Sequence, residues 1–60
     1  MVYDNIVSIC KHRNLPIYLL EKKAHIGNGT ISGWKDGSPR LDKLQAIADA
    51  LEVPITELLK

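Results

Sequence analysis

The stretch LPIYLLEKKAHIGNGTISGWKDG, residues 15–37, predicts two short helices joined by a tight turn. Three apolar residues in its second half, Ile26, Ile31 and Trp34, are spaced so that they face a core. The residues between and after them that are left facing outward are polar or basic: Asn28, Thr30, Ser32 and Lys35.

Two short helices joined by a tight turn are the arrangement by which small proteins place one helix in a DNA groove. Small polar side chains on an outward helix face suit base edges and phosphates better than they suit catalysis. No nucleophile, base and orienting group can be assembled from Ser8, Ser32, His12 and the carboxylates. The pattern therefore favours nucleic-acid binding, and we expect no enzymatic activity, cofactor or small-molecule substrate.

Length and composition predict one small helical domain over residues 1–60. A single cysteine, Cys10, excludes an internal disulfide. The lack of a signal peptide pattern or a long apolar run predicts a soluble, cytoplasmic protein with no membrane partner. The chain has no Phe and is rich in Leu, Ile, Ala, Lys and Glu, which predicts an all-α fold.

Net charge is only +1, which is low for a DNA-binding domain. The charge is uneven, because residues 1–40 carry six basic and three acidic side chains, whereas residues 41–60 carry two and four. The basic half contains the two-helix stretch. Ordinary solvated charge is the alternative reading of this asymmetry.

Five helices are predicted from apolar periodicity and capping residues. The third predicted helix contains Gly29 and Gly33, each of which costs roughly 0.5 to 1 kcal/mol relative to Ala. That helix is therefore weak by itself and depends on the packing of Ile31 and Trp34. The predicted bounds are residues 4–13, Pro16 to residue 23 or 24, about 28–36, 41–51, and a short last helix that opens at Pro54.

The predicted helix ends depend on residues that tolerate left-handed backbone. We expect Asn14 to end the first helix, His25 to make the sharp turn after the second, and Gly37 to close the third as a left-handed residue. Within the second helix, Leu20 is expected to point inward and Glu21 toward solvent.

Several residues fall in a common register along the chain: Leu15, Ile31, Ser32, Trp34, Gly37, Pro39, Ile47, Ala48, Ala50, Leu51, Val53 and Leu58. With these marks the chain resembles the lambda-repressor-like (Xre-type, or Cro-repressor type) helix-turn-helix family over nearly all of its length. It is especially similar to short repressors of Gram-positive bacteria and their phages, in which NGTIS followed by Trp, Lys and GSP recurs. The resemblance implies a compact five-helix DNA-binding domain, with its helix-turn-helix at predicted helices 2 and 3.

The resemblance implies that predicted helix 3, about residues 28–36, enters the major groove of double-stranded DNA while helix 2 crosses the backbone. The residues it implies at bases or nearby phosphates are Asn28, Gly29, Thr30, Ser32 and Gly33. Because the glycines have no side chain, direct readout is expected to depend mainly on Asn28, with contributions from Thr30 and Ser32. The residues expected to contact the DNA backbone are Tyr18, Lys35, Arg40 and Lys43.

Three residues depart from the pattern of the resembled family. Ile17 stands where a polar phosphate-binding residue is frequent, Glu21 where a small alanine is usual, and His25 where a glycine is usual. These positions bear on how helix 2 meets the DNA backbone and helix 3.

A repressor of the resembled type is expected to act as a dimer on a pseudo-palindromic operator, with half-sites about one helical turn or more apart. The C-terminal region carries more apolar residues than one short helix is expected to bury. We therefore predict a weak homodimer. The residues of its predicted interface are Pro54, Ile55, Leu58 and Leu59.

Other readings of the same residues are weaker. The GNGT sequence, residues 27–30, lacks the third glycine and the preceding strand of a dinucleotide-binding loop. Cys10, His12 and His25 fit no zinc spacing, so we expect a core thiol, surface histidines and no metal. Trp34 is expected to pack in the core rather than stack on a base or sugar.

A protein-interaction module of the same fold, such as an antitoxin or an antirepressor that binds a protein partner, is the alternative function. The low net charge and the glycines of predicted helix 3 favour it. The salt dependence of binding to random duplex DNA discriminates between the two functions.

Overall fold

The computed structural model describes all 60 residues. They form three α-helices and two 3₁₀ turns, with no strand: α1 (Val2–His12), α2 (Ile17–Lys23), the first 3₁₀ turn (Ser32–Lys35), α3 (Leu41–Leu51) and the second 3₁₀ turn (Ile55–Glu57). The predicted all-α class is confirmed. The prediction of five helices is wrong, because the third and fifth predicted helices are single 3₁₀ turns. None of the helices has the length and apolar character needed to span a membrane.

Residues 27–35, here named the central segment, replace the predicted third helix. Gly29 has a φ of +89°, which no α-helical residue adopts. The hydrogen bonds that follow differ in span. The N–H of Gly33 donates to the carbonyl of Gly29, four residues back, at 3.2 Å, whereas the N–H of Trp34 donates to the carbonyl of Ile31, three residues back, at 2.9 Å. The segment is therefore a series of turns, as expected where glycines remove the intrinsic preference for helix.

The core lies where the three α-helices, the central segment and the chain's C-terminal end meet. Ile31 and Trp34 fix the central segment to it, since Ile31 is fully buried and Trp34 is 8% exposed. The prediction that Trp34 packs in the core is thereby confirmed. The buried apolar residues are Ile6, Cys10, Leu20, Ala24, Ile31, Trp34, Leu44, Ile47, Ala48, Leu51 and Leu58.

Each α-helix ends in a left-handed residue that is not glycine. These residues are Asn14, His25 and Glu52, with φ values of 53°, 58° and 57°. After each one, the next N–H reaches back five residues to a helix carbonyl, which satisfies an acceptor that the helix leaves unpaired. The pairs are Leu15 to Cys10 at 2.9 Å, Ile26 to Glu21 at 3.0 Å and Val53 to Ala48 at 3.0 Å.

These ends confirm the predictions for Asn14 and His25, and add Glu52, which the residue type does not favour. The prediction for Gly37 is wrong, because its φ is not positive. Its small size matters for another reason: a Cβ at this position would lie 3.2 Å from the carbonyl oxygen of Gly33. Gly37 therefore allows the backbone to pass close to the carbonyl of Gly33, four residues earlier.

Candidate nucleic-acid interface

The central segment presents the residues predicted to read bases. Asn28, Gly29, Ser32 and Gly33 are exposed, and Thr30 is half-buried. The Thr30 hydroxyl donates a hydrogen bond to the Gly27 carbonyl at 2.7 Å, so its proton is used locally and its oxygen remains able to accept. The predicted base-contact residues, which are close in the sequence, are thus mostly exposed in the structure.

The buried side chain of Glu21, on α2, binds the backbone of the central segment. Its Oε1 accepts the N–H of Gly29 at 3.2 Å, and its Oε2 accepts the N–H of Ile31 at 2.9 Å. The residue is only 3% exposed and is the sole buried charged side chain of the chain. The prediction that Glu21 faces solvent is therefore wrong.

The sequence does contain a signal for this burial. Ile17, Leu20, Glu21 and Ala24 follow the spacing i, i+3, i+4 and i+7, which marks one face of a helix. All four are buried or half-buried. An acid on such a face needs hydrogen-bond donors, and the N–H groups of a neighbouring turn that are not paired within a helix provide them.

A groove connects α2 with the central segment. It is lined by Tyr18, Glu21, Lys22, Ile26 and Asn28. The Tyr18 ring is well exposed, at 63%. The structure therefore brings a predicted phosphate contact, Tyr18, and a predicted base contact, Asn28, to the same groove.

The basic residues predicted to contact the DNA backbone also interact with other residues of the chain. The Lys35 ammonium lies 5.6 Å from the centroid of the Tyr3 ring, a cation–π distance. Arg40 forms an ion pair with Asp42 at 3.5 Å, and both side chains are mostly exposed. Lys43 is half-buried, and its backbone N–H donates to the Asp42 carboxylate at 3.0 Å. Exposed pairs of this kind contribute little stability, so Arg40 remains able to exchange Asp42 for another anion.

A family model described as the Cro/C1-type HTH DNA-binding domain matches residues 5–60. The chain belongs to this family. The resemblance to the lambda-repressor-like helix-turn-helix family is thereby confirmed. No curated protein and no solved structure matches the chain.

The residues of the predicted dimer interface, at the C-terminal end of this Cro/C1-type domain, differ in exposure. Pro54 and Leu59 are exposed, and Ile55 is half-buried. Leu58, in contrast, is fully buried in the chain's own core, so its predicted place in a dimer surface is wrong. The second 3₁₀ turn directs Leu58 inward, which a short apolar run in the sequence does not reveal.

The residues considered as metal ligands are dispersed in the Cro/C1-type domain. Cys10 is buried, whereas His12 and His25 are exposed. Burial raises the pKa of the Cys10 thiol above its ordinary value, while the positive charge of Arg13 acts in the opposite direction. No group of three or more His, Cys, Asp or Glu side chains could hold a metal ion.

Proposed function

We propose that this Cro/C1-type domain is a sequence-specific transcriptional regulator, a repressor of the phage or bacterial type. The central segment enters the major groove of a palindromic operator, and repression results from blocking polymerase. The observation that carries the proposal is the exposed central segment anchored on α2, in a chain whose family is a DNA-binding one.

Base reading depends mainly on Asn28. Its amide is exposed and can pair with the edge of an adenine, a contact that discriminates by about 1 to 3 kcal/mol. A Cβ added at Gly29 or Gly33 would meet no protein atom within 4 Å, so neither glycine serves internal packing, although the φ of +89° at Gly29 itself favours glycine. Their missing side chains allow the DNA to approach the backbone closely, while Thr30 and Ser32 supply hydroxyl or methyl contacts.

Phosphate contacts come from Tyr18, Lys35, Arg40 and Lys43, which lie on α2, in the first 3₁₀ turn and at the start of α3. In the chain, α2 precedes the central segment, Lys35 ends it and the start of α3 follows it, so phosphate contacts on both sides would orient it in the groove. Four such contacts are modest, in keeping with a net charge of +1.

A palindromic operator requires two copies of the domain. The proposed contact between them uses Pro54, Ile55 and Leu59, with Leu59 53% exposed. Such a surface is small, so the homodimer is weak in solution and is stabilised when both copies occupy adjacent half-sites.

A salt titration of binding to a random-sequence duplex tests DNA binding itself. We expect affinity to fall steeply as salt rises, with a log–log slope of about −0.9 for each phosphate contacted. Failure to bind any duplex at low salt would refute the proposal. It would favour a protein-interaction module of the same fold, a function consistent with the low net charge.

Selection of bound duplexes from a random pool tests sequence recognition. A symmetric motif is expected, with two half-sites about one helical turn or more apart. Asn28→Ala should then weaken binding to the selected duplex more than to a random duplex of the same length. Equal losses on the two duplexes would show that Asn28 does not read bases.

A further inference from the structure

We propose that Glu21 is a positioning residue for base reading, which sets sequence discrimination through the backbone of the central segment without touching DNA. This inference rests on the proposed function. Ile31 and Trp34 pack the second half of the central segment on the core, but its first half, which carries Asn28, has no α-helix and no buried side chain. A buried carboxylate that binds it at two points makes its conformation definite.

The two bonds lie on either side of Thr30 and just after Asn28. Glu21 spans eight residues to the N–H of Gly29 and ten to the N–H of Ile31, with one carboxylate oxygen for each. The other hydrogen bonds of this turn stay within the central segment: the Thr30 N–H and hydroxyl donate to the Gly27 carbonyl, and the carbonyls of Gly29 and Ile31 accept the N–H groups of Gly33 and Trp34. Glu21 is therefore the one hydrogen-bond partner that another element supplies to this turn.

The other end of the connection is rigid. Glu21 lies in α2, and its own carbonyl accepts the N–H of Ile26 at 3.0 Å, which closes that helix. Tyr18 is on the same helix, less than one turn before Glu21, and lines the same groove as Asn28. A phosphate contact made by Tyr18 would therefore position α2 on the DNA, and the bonds of Glu21 would position Asn28 relative to α2.

The same bonds restrict how this turn can meet DNA. Because the N–H groups of Gly29 and Ile31 are bound to the carboxylate, they are not free to donate to a phosphate. At these two positions the backbone offers no donor, which favours contacts through the side chains of Asn28, Thr30 and Ser32. Glu21 thus favours base reading by side chains over nonspecific backbone contact.

Glu21→Gln is the sharpest test, because glutamine has the same shape but one acceptor oxygen in place of two. Its NH₂ group would face an N–H donor, so one of the two bonds is lost. We expect the ratio of affinities for the selected and random duplexes to fall on the order of tenfold, the effect of one hydrogen bond to a charged group. Affinity for the random duplex and its salt slope should not change.

Glu52→Gln is the matched control, since it makes the same chemical change at an exposed residue. It should leave the affinity ratio unchanged. In the same samples, amide hydrogen exchange at Gly29 and Ile31 should accelerate in Glu21→Gln, while exchange in α3 stays at the rate of the wild type.

The possible failures are distinguishable. If the wild type binds no duplex, the proposed function is refuted, and so is the proposed role of Glu21 in sequence discrimination. If wild type discriminates and Glu21→Gln discriminates equally, or loses affinity equally on both duplexes, only the positioning role is refuted. If Glu21→Gln does not fold, Glu21→Asp replaces it, because the shorter aspartate side chain cannot reach both N–H groups. If Glu21→Asp showed fast amide exchange at both Gly29 and Ile31 but discriminated between the duplexes as well as the wild type, the inference would be overturned.

Discussion

The side-chain amide of Asn5 donates to the backbone carbonyl of Leu58, with 2.9 Å between Nδ2 and the oxygen. The same amide donates to the carbonyl of Lys60 at 3.0 Å. Asn5 lies in α1, so one side chain joins the first helix to the last residues of the chain. Leu58 is fully buried beside this contact, which explains how a single 3₁₀ turn stays packed on the core.

Asn5→Ala should lower the free energy of unfolding by about 1 to 2 kcal/mol, because it removes two hydrogen bonds, one of them partly buried. Urea unfolding followed by circular dichroism measures the effect. Ser8→Ala is the control, since Ser8 is exposed on the same helix. A loss no larger than that of Ser8→Ala would mean that Asn5 does not hold the C-terminal end.

Glu52→Gly should raise the free energy of unfolding by about 0.5 kcal/mol. Glu52 has a φ of 57°, a conformation that costs residues with a Cβ about 1 kcal/mol and glycine almost nothing. The greater freedom of glycine in the unfolded chain offsets part of that gain. Glu52→Ala removes the same side chain without relieving the backbone, so a similar gain in this variant would contradict the explanation.

Cys10 should make stability fall at alkaline pH. Its raised pKa means that the folded protein holds the thiol proton more tightly than the unfolded chain. The resulting stability is fully present below the ordinary thiol pKa and is lost as pH rises through it toward the folded value. Between about pH 8 and pH 10, wild type should lose more free energy of unfolding than Cys10→Ala, and parallel curves would refute this role.

Lys35→Ala should weaken binding to all duplexes alike and make the salt slope shallower by about 0.9, the effect of one lost phosphate contact. Lys35 is exposed and contacts the half-buried Tyr3 ring from the solvent side, so stability should fall by no more than about 1 kcal/mol. Lys60→Ala is the charge-matched control, because Lys60 pairs with Glu57 in the C-terminal turn. An unchanged slope for Lys35→Ala would remove Lys35 from the phosphate contacts.

Much of the fold could be predicted from local pattern. Apolar spacing identified the burial of Ile31 and Trp34, and residue type identified Asn14 and His25 as left-handed helix ends, because these properties depend on near neighbours. The predicted bounds of α1 and α2 differ from the observed ones by one or two residues. The match to the Cro/C1-type family agrees with the register of residues along the chain.

The conformation of the central segment was less predictable. Ile31 and Trp34 favour a helix by their spacing, while Gly29 and Gly33 oppose it by their freedom, and local pattern does not decide between the two. In the folded protein the N–H groups of Gly29 and Ile31 bind Glu21 instead of completing a helix. The contact with Glu21, which lies on α2, decides between the helical and the non-helical conformation of the segment.

The sequence by itself determined the all-α class, the burial of Ile31 and Trp34 and the exposure of Asn28, since each follows from residue type and short-range spacing. Tertiary structure alone decided that Glu21 binds the N–H groups of Gly29 and Ile31 and that Leu58 turns into the core. The physical reason is the same in both cases. The partners lie in other elements, so they meet only after the core has brought α2 to the central segment and α1 to the C-terminal turn.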